Sequence, residues 1–319
     1  MSTILITGGA GFIGSHVAKK LIEEGQEVII IDNFNQYYDP LLKEARLNTF
    51  LKDLNFKLYR IDITDFSELK KVFLENKFTK ICHLAAQAGI RYSLKNPFLY
   101  EETNVRGMLN LLELAKDFGV KGFIYASSSS VYGGNKKIPF SEADRVDKPI
   151  SLYAATKRSG ELLAYTYHHL YKLPCTGLRY FTVYGPWGRP DMAYFKFTKA
   201  ILDGRPIEVY NYGKMKRDFT YIDDIVSGTL AALESSFSYE IFNLGNSETV
   251  ELEYFISVLE KSLGKLAQKK YLPLQAGDVP ETYANISQAQ EKLGYCPVTS
   301  IEEGIEKFVA WYKEYYKVN

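Results

Sequence analysis

The first half of the chain alternates short apolar runs with amphipathic segments. Between residue 3 and about residue 180, the segments HVAKKLIEEG and VRGMLNLLELAKDFG have the apolar spacing of helices with one buried face. The runs between such segments are short and apolar, as buried strands are; they are TILIT, EVIIID, FKLYRID, KICHLA, GFIYAS and PCTGLRYF. The alternation predicts repeated βαβ units, and hence an α/β fold with a doubly wound, mostly parallel sheet.

The pattern changes after residue 185. Shorter elements now lie between glycine and proline clusters such as Gly277-Asp278-Val279-Pro280. We therefore expect residues 1–185 to form the sheet domain and residues 186–319 to form a smaller α+β lobe. The helical pattern from Asp223 to Leu233 predicts that residues 215–245 return to the sheet domain. Because ligands of such sheets bind outside the carboxyl ends of the strands, the loops after the strands should carry the site.

Composition excludes several classes of protein. A chain of 319 residues with 46% hydrophobic and 24% charged residues is neither disordered nor fibrous. Lys and Arg number 39 against 38 Asp and Glu, a net charge of +1, so no overall field attracts nucleic acid or an anionic membrane. An anionic ligand must therefore be bound by local groups.

Cysteine and histidine positions argue against disulfides and metals. Cys82, Cys175 and Cys296 are widely spaced, without a CxxC pair, which suits neither a disulfide framework nor a zinc site. None of the four histidines has the spacing or the carboxylate neighbours of a metal ligand, so we expect no metal. The amino terminus lacks the features of a signal peptide, and no run reaches the ~18 apolar residues of a membrane span. These observations predict a cytoplasmic protein without a membrane partner.

A glycine-rich loop follows the first strand and opens a helix. Gly8 permits the tight turn, Gly11 lets the backbone approach a pyrophosphate, and Gly14 lets the helix pack closely on the strand. The second strand ends in Asp32, at the distance where an acid binds ribose hydroxyls, and no Arg or Lys immediately follows it to bind a 2′-phosphate. The pattern predicts a Rossmann-type domain that binds NAD rather than NADP. The alternative is a structural turn that binds no nucleotide.

Tyr153 and Lys157 form a YxxxK pair in a helical segment, so they lie one turn apart on the same face. A free tyrosine is a poor base because its pKa is about 10. A neighbouring ammonium stabilises the tyrosinate and makes it a usable acid–base group. Residues 127–133, SSSSVYG, follow the fifth strand and place hydroxyls at the same sheet edge. The alternatives are an exposed helix pair and an ordinary polar turn.

At these residues the chain resembles the extended short-chain dehydrogenase/reductase superfamily and its NAD-dependent epimerase/dehydratase family. The matching motifs are GGAGFIG, HLAA at residues 83–86, SSVYG and YAATK. The resemblance covers essentially the whole chain. It implies that Tyr153 is the acid–base group, that Lys157 binds the nicotinamide ribose and lowers the pKa of Tyr153, and that Ser128 orients the substrate hydroxyl.

The resemblance also implies a set of NAD contacts. They are Gly8, Gly11, Phe12, Ile13, Gly14, Asp32, Asn33, Asp62, Ile63, Leu84, Ala85, Ala86, Asn104, Tyr153, Lys157 and Tyr180. For the pair Asp62-Ile63, two roles stay open, because such a pair either lines the adenine pocket or caps a helix.

Longer segments resemble the nucleotide-sugar 4-epimerases, most closely those that act on UDP-glucuronate. They are DNFNQYYDP at residues 32–40, RYFTVYGPWGRPDMA at 179–193, RDFTYIDD at 217–224 and QAGDVP at 275–280. In such an enzyme the tyrosine takes the proton of the sugar 4-hydroxyl while NAD accepts the C4 hydride. The resulting 4-keto sugar turns over in the pocket, and the hydride returns to its opposite face.

The resemblance assigns the substrate contacts. Arg217 would bind the diphosphate, Asp278 the uridine ribose, and Arg91 is a further substrate residue. We expect the sugar carboxylate to be bound bidentately by Arg189, with hydrogen bonds from Thr182 and from one of Ser129 or Ser130. The alternatives are ordinary charged surface residues for Arg217 and Asp278 and a loop brace for Arg189.

Several residues of the chain bear on the other activities known in this family. Related dehydratases and decarboxylases carry acids where this chain has Ser129 and Ser130, so both reactions are disfavoured. A UDP-glucose or N-acetylhexosamine 4-epimerase is the alternative within the family, and Thr282, where some of these enzymes have a bulky tyrosine, leaves tolerance at C6 or C2 open. A non-catalytic NAD-binding regulator is the alternative from another class.

The helical segments 105–118 and 153–171 carry Leu109, Leu112, Leu162, Leu163, Tyr165 and Tyr167. In this superfamily such helices pair as the four-helix bundle of a homodimer, so the resemblance implies a homodimer here.

Overall fold

A seven-stranded parallel sheet forms the centre of the molecule. The computed structural model describes residues 2–235, 237–275 and 277–318, so Ala276 of the QAGDVP segment lies outside the described residues. The strand order is β11-β6-β5-β4-β1-β2-β3. Its strands are β1 (Thr3–Thr7), β2 (Glu27–Ile31), β3 (Lys57–Tyr59), β4 (Lys80–His83), β5 (Gly122–Ser128), β6 (Cys175–Tyr180) and β11 (Tyr239–Leu244).

Twelve α-helices are present in the described part of the chain. They are α1 (Phe12–Glu23), α2 (Pro40–Ala45), α3 (Phe66–Glu75), α4 (Ile90–Ser93), α5 (Pro97–Glu101), α6 (Gly107–Asp117), α7 (Leu152–Tyr171), α8 (Ala193–Leu202), α9 (Ile222–Glu234), α10 (Leu252–Leu263), α11 (Ser287–Leu293) and α12 (Ile301–Tyr316). One π-helical turn, Arg46–Phe50, continues α2, and a second, Glu102–Arg106, joins α5 to α6. Among the described residues, no helix is long and apolar enough to cross a membrane.

Helices cover both faces of the sheet, which explains why its inner strands are mostly apolar. In β1, Ile4 and Ile6 belong to the core cluster that contains Val17 of α1 and Ile225 of α9. Leu5, which points to the opposite face, belongs to the cluster that contains Leu111 of α6. Burial on both faces confirms the predicted doubly wound α/β sheet.

Residues beyond the sixth strand contribute to the central sheet and to the structure in front of it. In β11, Phe242 pairs with Leu178 of β6, and α9 packs against α1. Three two-stranded sheets lie outside the central one: β10 (Phe219–Tyr221) with β7 (Thr182–Tyr184), β12 (Val250–Glu251) with β9 (Lys216–Arg217), and β13 (Lys269–Tyr271) with β8 (Ile207–Val209). They place residues 182–217 opposite the carboxyl edge of the central sheet.

Candidate active site

A cavity of about 820 Å³ lies at the carboxyl edge of the central sheet. Loops after β1, β2, β4, β5 and β6 form one wall, and residues from the smaller sheets form the other. The cavity brings together most of the residues that the sequence singled out: Gly8, Gly11, Phe12, Ile13, Gly14, Asp32, Asn33, Ile63, Leu84, Ala85, Ala86, Arg91, Ser128, Ser129, Ser130, Tyr153, Lys157, Tyr180, Thr182, Arg189, Arg217 and Asp278.

The glycine-rich loop is packed too tightly for side chains at its glycines. Gly8 has φ +72°, and a Cβ there would lie 2.7 Å from the amide nitrogen of Ala85. A Cβ on Gly11 would lie 2.9 Å from the carbonyl oxygen of Gly8. A Cβ on Gly14 would lie 2.2 Å from that same oxygen, so Gly14 lets α1 pack closely against the residue that follows β1. Helix α1 begins at Phe12, and its free N–H groups face the cavity as an anion site requires.

Asp32 is buried and already has three hydrogen-bond donors. It accepts bonds from the amide of Ala10 (3.2 Å), the amide of Phe34 (2.9 Å) and the ammonium of Lys43 (3.1 Å). No Arg or Lys immediately follows Asp32 in the sequence, and the contact with Lys43 was not predicted because Lys43 lies one helix further along the chain. Because Lys43 is itself nearly buried, this ion pair fixes the carboxylate at the floor of the cavity.

Two predicted NAD contacts lie away from the cavity wall. Asp62 accepts hydrogen bonds from the Asn33 side chain (2.6 Å) and from the amide of Thr64 (2.8 Å) in a local turn. The cap of α3 is Asp65, so Asp62 is not a helix cap either. Asn104, in the second π-helical turn, accepts from the amide of Gln87 (2.8 Å) and donates to the carbonyl of Gln87 and to the Thr156 hydroxyl (both 3.0 Å). Both side chains are therefore engaged in holding loops that do line the cavity.

Tyr153 and Lys157 lie in the first turns of α7. The hydroxyl of Ser151 caps this helix by accepting from the amide of Ala154 (3.1 Å). Burial raises the pKa of Tyr153, and the Ser128 hydroxyl and the Arg189 charge oppose this. Lys157 donates to the carbonyl of Ala126 at 2.9 Å, and burial, with a smaller effect of Arg189, lowers its pKa to about 8.

The serine-rich segment turns at the end of β5. Ser128 caps a 3-10 turn, Ser129–Tyr132, by accepting from the amide of Ser130 at 3.2 Å. Ser127 donates to buried Glu161 at 2.6 Å, and Glu161 also pairs with Arg179 at 2.8 Å. This buried ion pair anchors the turn from below, so the hydroxyls of residues 128–130 are presented to the cavity.

Arg189 has a partner that the sequence analysis did not foresee. Its Nε and Nη2 donate to the two carboxylate oxygens of Asp191, at 3.0 and 2.6 Å. The hydroxyl of Tyr37 donates to the same carboxylate at 3.1 Å. Burial alone would raise the pKa of Asp191, but Arg189 and Tyr37 hold it below its ordinary value. The bidentate geometry expected toward a substrate carboxylate is thus made with an internal carboxylate.

A second set of charges lies at the far end of the cavity. Arg91, after β4, donates to Asp278 at 3.1 Å, and its guanidinium lies 4.4 Å over the ring of Tyr210. Arg217 donates to the carbonyls of Lys216 (2.8 Å) and Pro280 (3.1 Å). Two arginines and one aspartate therefore converge where residues 277–280 approach α4.

The described residues contain no group of three or more His, Cys, Asp or Glu side chains placed to hold a metal ion. Cys82 and Cys175 are buried free thiols, and Cys296 is an exposed one. The polar groups that line the cavity include hydroxyls, amines, guanidinium groups and carboxylates.

Comparison with known proteins gives consistent matches over the whole chain. The model of the NAD dependent epimerase/dehydratase family matches residues 4–245. An uncharacterised protein of Methanocaldococcus jannaschii is 57% identical over 98% of this chain and 96% of its own length. UDP-glucuronate 4-epimerase 1 of Arabidopsis thaliana is 49% identical over 99% of this chain and 78% of its own length. The solved structure of UDP-glucuronic acid 4-epimerase from Bacillus cereus, in complex with UDP-glucuronic acid and NAD, has a TM-score of 0.93, 38% identity and coverage of 98% of this chain and 100% of that one.

Proposed function

The chain belongs to the NAD dependent epimerase/dehydratase family, and we propose that it interconverts UDP-glucuronate and UDP-galacturonate by epimerisation at C4. The observation that carries this proposal is the cavity itself. It combines the Tyr153–Lys157 pair with an arginine, Arg189, that suits an acidic sugar. UDP-sugars bind in it together with NAD, which accepts a hydride from C4 and returns it.

The glycine-rich loop fits a dinucleotide. Its three glycines leave no room for a Cβ, so bare backbone forms the cradle in front of α1. Asp32 lies at the end of β2, where it is positioned to accept the adenosine ribose hydroxyls. Leu84, Ala85 and Ala86 provide the apolar wall on the β4 side of the cofactor. We therefore propose that residues 1–185 bind the cofactor at the sheet edge and that residues 186–319 bind the UDP-sugar under the smaller elements.

Tyr153 moves the proton of the reaction. Its phenolate oxygen takes the proton of the 4-hydroxyl as C4 is oxidised to a ketone, and gives it back when C4 is reduced. Burial raises the pKa of Tyr153 and so opposes the phenolate, while the charge of Arg189 favours it. We propose that Lys157, one helical turn from Tyr153 on α7, supplies a second positive charge. Ser128 holds the sugar oxygen between itself and Tyr153. Because the proton and the hydride both return, the reaction is an isomerisation.

The carboxylate of an acidic sugar needs its own contacts. A 4-keto sugar with a C6 carboxylate is a β-keto acid, and it loses CO2 when the C5–C6 bond aligns with the carbonyl π system. Thr182 and one of Ser129 or Ser130 donate hydrogen bonds to the carboxylate, and Arg189 supplies a positive charge. Fixing the carboxylate away from that alignment protects the intermediate.

The uridine diphosphate is bound at the other end of the cavity. Arg217 and Arg91 provide two guanidinium groups for the diphosphate, and Asp278 accepts the ribose hydroxyls. Anchoring the nucleotide there leaves the sugar free to turn over, as return of the hydride to the opposite face requires.

The same proposal includes assembly and location. Leu109 on α6 and Leu162 and Tyr165 on α7 are exposed apolar residues on neighbouring helices, which supports a homodimer closed by a four-helix bundle. Leu112 and Tyr167, also named from the sequence, are buried in their own subunit and take no part in that face. The two buried free thiols, Cys82 and Cys175, support a reducing, cytoplasmic location.

Proton NMR of the enzyme with NAD and UDP-glucuronate tests the function. We expect the anomeric and H4 signals of UDP-galacturonate to appear, while UDP-glucose in a parallel tube stays unchanged. The variant Tyr153→Phe should lower kcat by about 10²- to 10⁴-fold and still bind UDP, whereas Tyr212→Phe, an exposed tyrosine, should match the wild type. Turnover of UDP-glucose alone would reassign the enzyme to neutral sugars, and no turnover of either would refute the proposal.

A further inference from the structure

Arg46 is a fully buried arginine with 0% of its surface exposed. Within the described chain, no carboxylate forms an ion pair with it. Its guanidinium instead donates to the carbonyl of Trp187 from Nε (3.0 Å) and Nη2 (2.7 Å), and to the carbonyl of Gly188 from Nη2 (3.2 Å). Nη1 donates to the carbonyl of Ala10 (3.1 Å) and to the hydroxyl of Tyr38 (2.7 Å). Burying a charge without a counter-charge is costly, so this position has a reason beyond packing.

The atoms that Arg46 contacts belong to the two halves of the site. Ala10 is in the glycine-rich loop that cradles the dinucleotide. Trp187 and Gly188 immediately precede Arg189. One guanidinium therefore ties the cofactor loop to the backbone from which the substrate-facing arginine projects.

The Trp187–Asp191 segment needs such a tie because its backbone is strained. Trp187 has φ +61°, in the left-handed region that a bulky residue rarely adopts. A Cβ on Gly188 would lie 2.2 Å from the hydroxyl oxygen of Tyr194, so the chain has no slack there. The Trp187 ring is held by Phe50 and Trp311, with centroids 5.7 and 5.3 Å away. The aromatic contacts fix the ring, and the hydrogen bonds of Arg46 fix the carbonyls.

The Tyr37-Tyr38 pair extends the same connection. Tyr38 accepts from Arg46, while its neighbour Tyr37 donates to Asp191, the partner of Arg189. Residues 37–46 therefore contact the Trp187–Asp191 segment at both of its ends.

We propose that Arg46 is a positioning residue for the sugar carboxylate: it sets the place of Arg189 relative to the cofactor loop without touching substrate. This inference rests on the proposed function, since it takes Arg189 as a carboxylate contact. Only the planar guanidinium, with donors on three nitrogens, reaches all four acceptors, so lysine does not replace it.

With the Trp187–Asp191 segment loosened, the carboxylate is held less firmly and the 4-keto intermediate decarboxylates. The C5–C6 bond then breaks and CO2 leaves, and the electron pair of that bond forms the enolate of the C4 ketone. A solvent proton adds at C5, while the hydride stays on the cofactor.

The test uses the full-length protein with Arg46→Lys, and Arg145→Lys as a matched control at an exposed arginine. We expect Arg46→Lys to raise the KM for UDP-glucuronate by roughly 10- to 100-fold. The inhibition constant of UDP alone should not change, because Arg217 and Asp278 lie at the other end of the cavity. The share of UDP-4-keto-pentose among the products should rise. Arg145→Lys should match the wild type in all three.

Hydrogen–deuterium exchange separates this inference from the proposed function. In Arg46→Lys the amides of residues 187–189, 191 and 192 should exchange faster, with those of α3 and α6 unchanged, whether or not UDP-glucuronate is turned over. If Arg46→Lys does not fold, Tyr38→Phe, which removes one acceptor, should show a smaller change of the same kind. A parallel rise in the UDP inhibition constant, or unchanged exchange at residues 187–192, would overturn the positioning role. Failure of the wild type to epimerise UDP-glucuronate would refute the function and leave the exchange result to decide the role of Arg46 in the loop.

Discussion

At the scale of single residues, the most informative contact is that between Arg189 and Asp191. Arg189, which we propose as a contact for an acidic sugar, is held by an acid of its own chain, with both side chains largely buried. The aspartate keeps the guanidinium charged and oriented, and Tyr37 in turn orients the aspartate. Under the proposed function, a substrate carboxylate would meet a prepositioned cation and would make its bonds beside Asp191.

Removing that cation gives a selective prediction. Arg189→Ala leaves the Asp191 charge facing the sugar carboxylate, so the KM for UDP-glucuronate should rise by roughly 30-fold or more, the worth of a lost charge-assisted bond. The inhibition constant of UDP should stay the same. Initial rates and UDP competition measure both values, with Arg145→Ala as the control. An unchanged KM would show that Arg189 only braces its loop.

Two buried histidines give a pH prediction. Burial lowers the pKa of His16 and of His83 from 6.5 to about 3, so both are neutral in the folded protein. Between these values the unfolded chain binds more protons than the folded one. Their contribution to stability is therefore complete above pH 6.5 and is lost as the pH falls toward 3.

From about pH 7 to about pH 5, each histidine should lower the free energy of unfolding by about 2 kcal/mol. Urea denaturation at both pH values measures the change. The Nδ1 atom of the His16 ring contacts the Phe12 carbonyl at 2.9 Å, and His16→Asn keeps a donor for that carbonyl. This variant should lose one histidine's contribution to the pH dependence of the free energy of unfolding. The same pH dependence in this variant as in the wild type would show that His16 titrates normally in the folded state.

At the scale of elements, the sequence predicted the central sheet well. Each of the six apolar runs overlaps one of its first six strands. The inner strands are buried on both faces, which requires a continuous apolar run that can be recognised from local sequence. The return of residues 215–245 was expected from one amphipathic helix, and α9 and β11 lie there. The two- and three-residue strands of the smaller sheets carry too few side chains for any period to show.

The glycine-rich loop is the element whose failure is easiest to predict. In Gly14→Ala the new Cβ would lie 2.2 Å from the Gly8 carbonyl oxygen, so the turn must shift. We expect a loss of about 1–3 kcal/mol in stability and a weaker affinity for NAD, because the same turn forms the cradle. Thermal unfolding with and without NAD measures both effects.

The control for that experiment is Gly134→Ala, where the new Cβ would meet only Ile150 at 3.9 Å. It should leave stability and the NAD-induced shift close to the wild type. An equal NAD-induced shift in Gly14→Ala would mean that the loop does not form the cofactor cradle.

At the scale of the whole molecule, most of the site residues predicted from the sequence line one cavity, but the contacts that hold them in place were not predicted. Tyr153 and Lys157 were identifiable because they form the YxxxK motif of α7, and Ser128 because it lies in the serine-rich motif at the end of β5. Lys43 beside Asp32 and Arg46 under Trp187 were not, because each acts on a segment that only the folded chain brings near. No local sequence motif marks such a residue. The partner of Lys43 is Asp32, which the sequence had already suggested as an NAD contact, and Arg46 donates to the backbone carbonyl of Trp187.

Assembly also belongs to this scale, and it follows from which apolar residues the fold leaves uncovered. Leu109 is 38% exposed on α6, and Leu162 and Tyr165 are each 52% exposed on α7, which packs against α6. A two-fold axis beside these helices would bury both faces against their copies. We expect the wild type to elute at twice its 36.4 kDa mass. In Leu162→Glu, four-helix packing would bury an unpaired carboxylate, so this variant should elute as a monomer.

Light scattering coupled to size exclusion measures the mass of both, at equal protein concentration. Leu266→Glu is the matched control, since Leu266 is 81% exposed and lies between α10 and β13, outside both α6 and α7. It should remain a dimer. A dimeric Leu162→Glu variant would place the interface on another face, and a monomeric wild type would show that α6 and α7 serve only their own sheet.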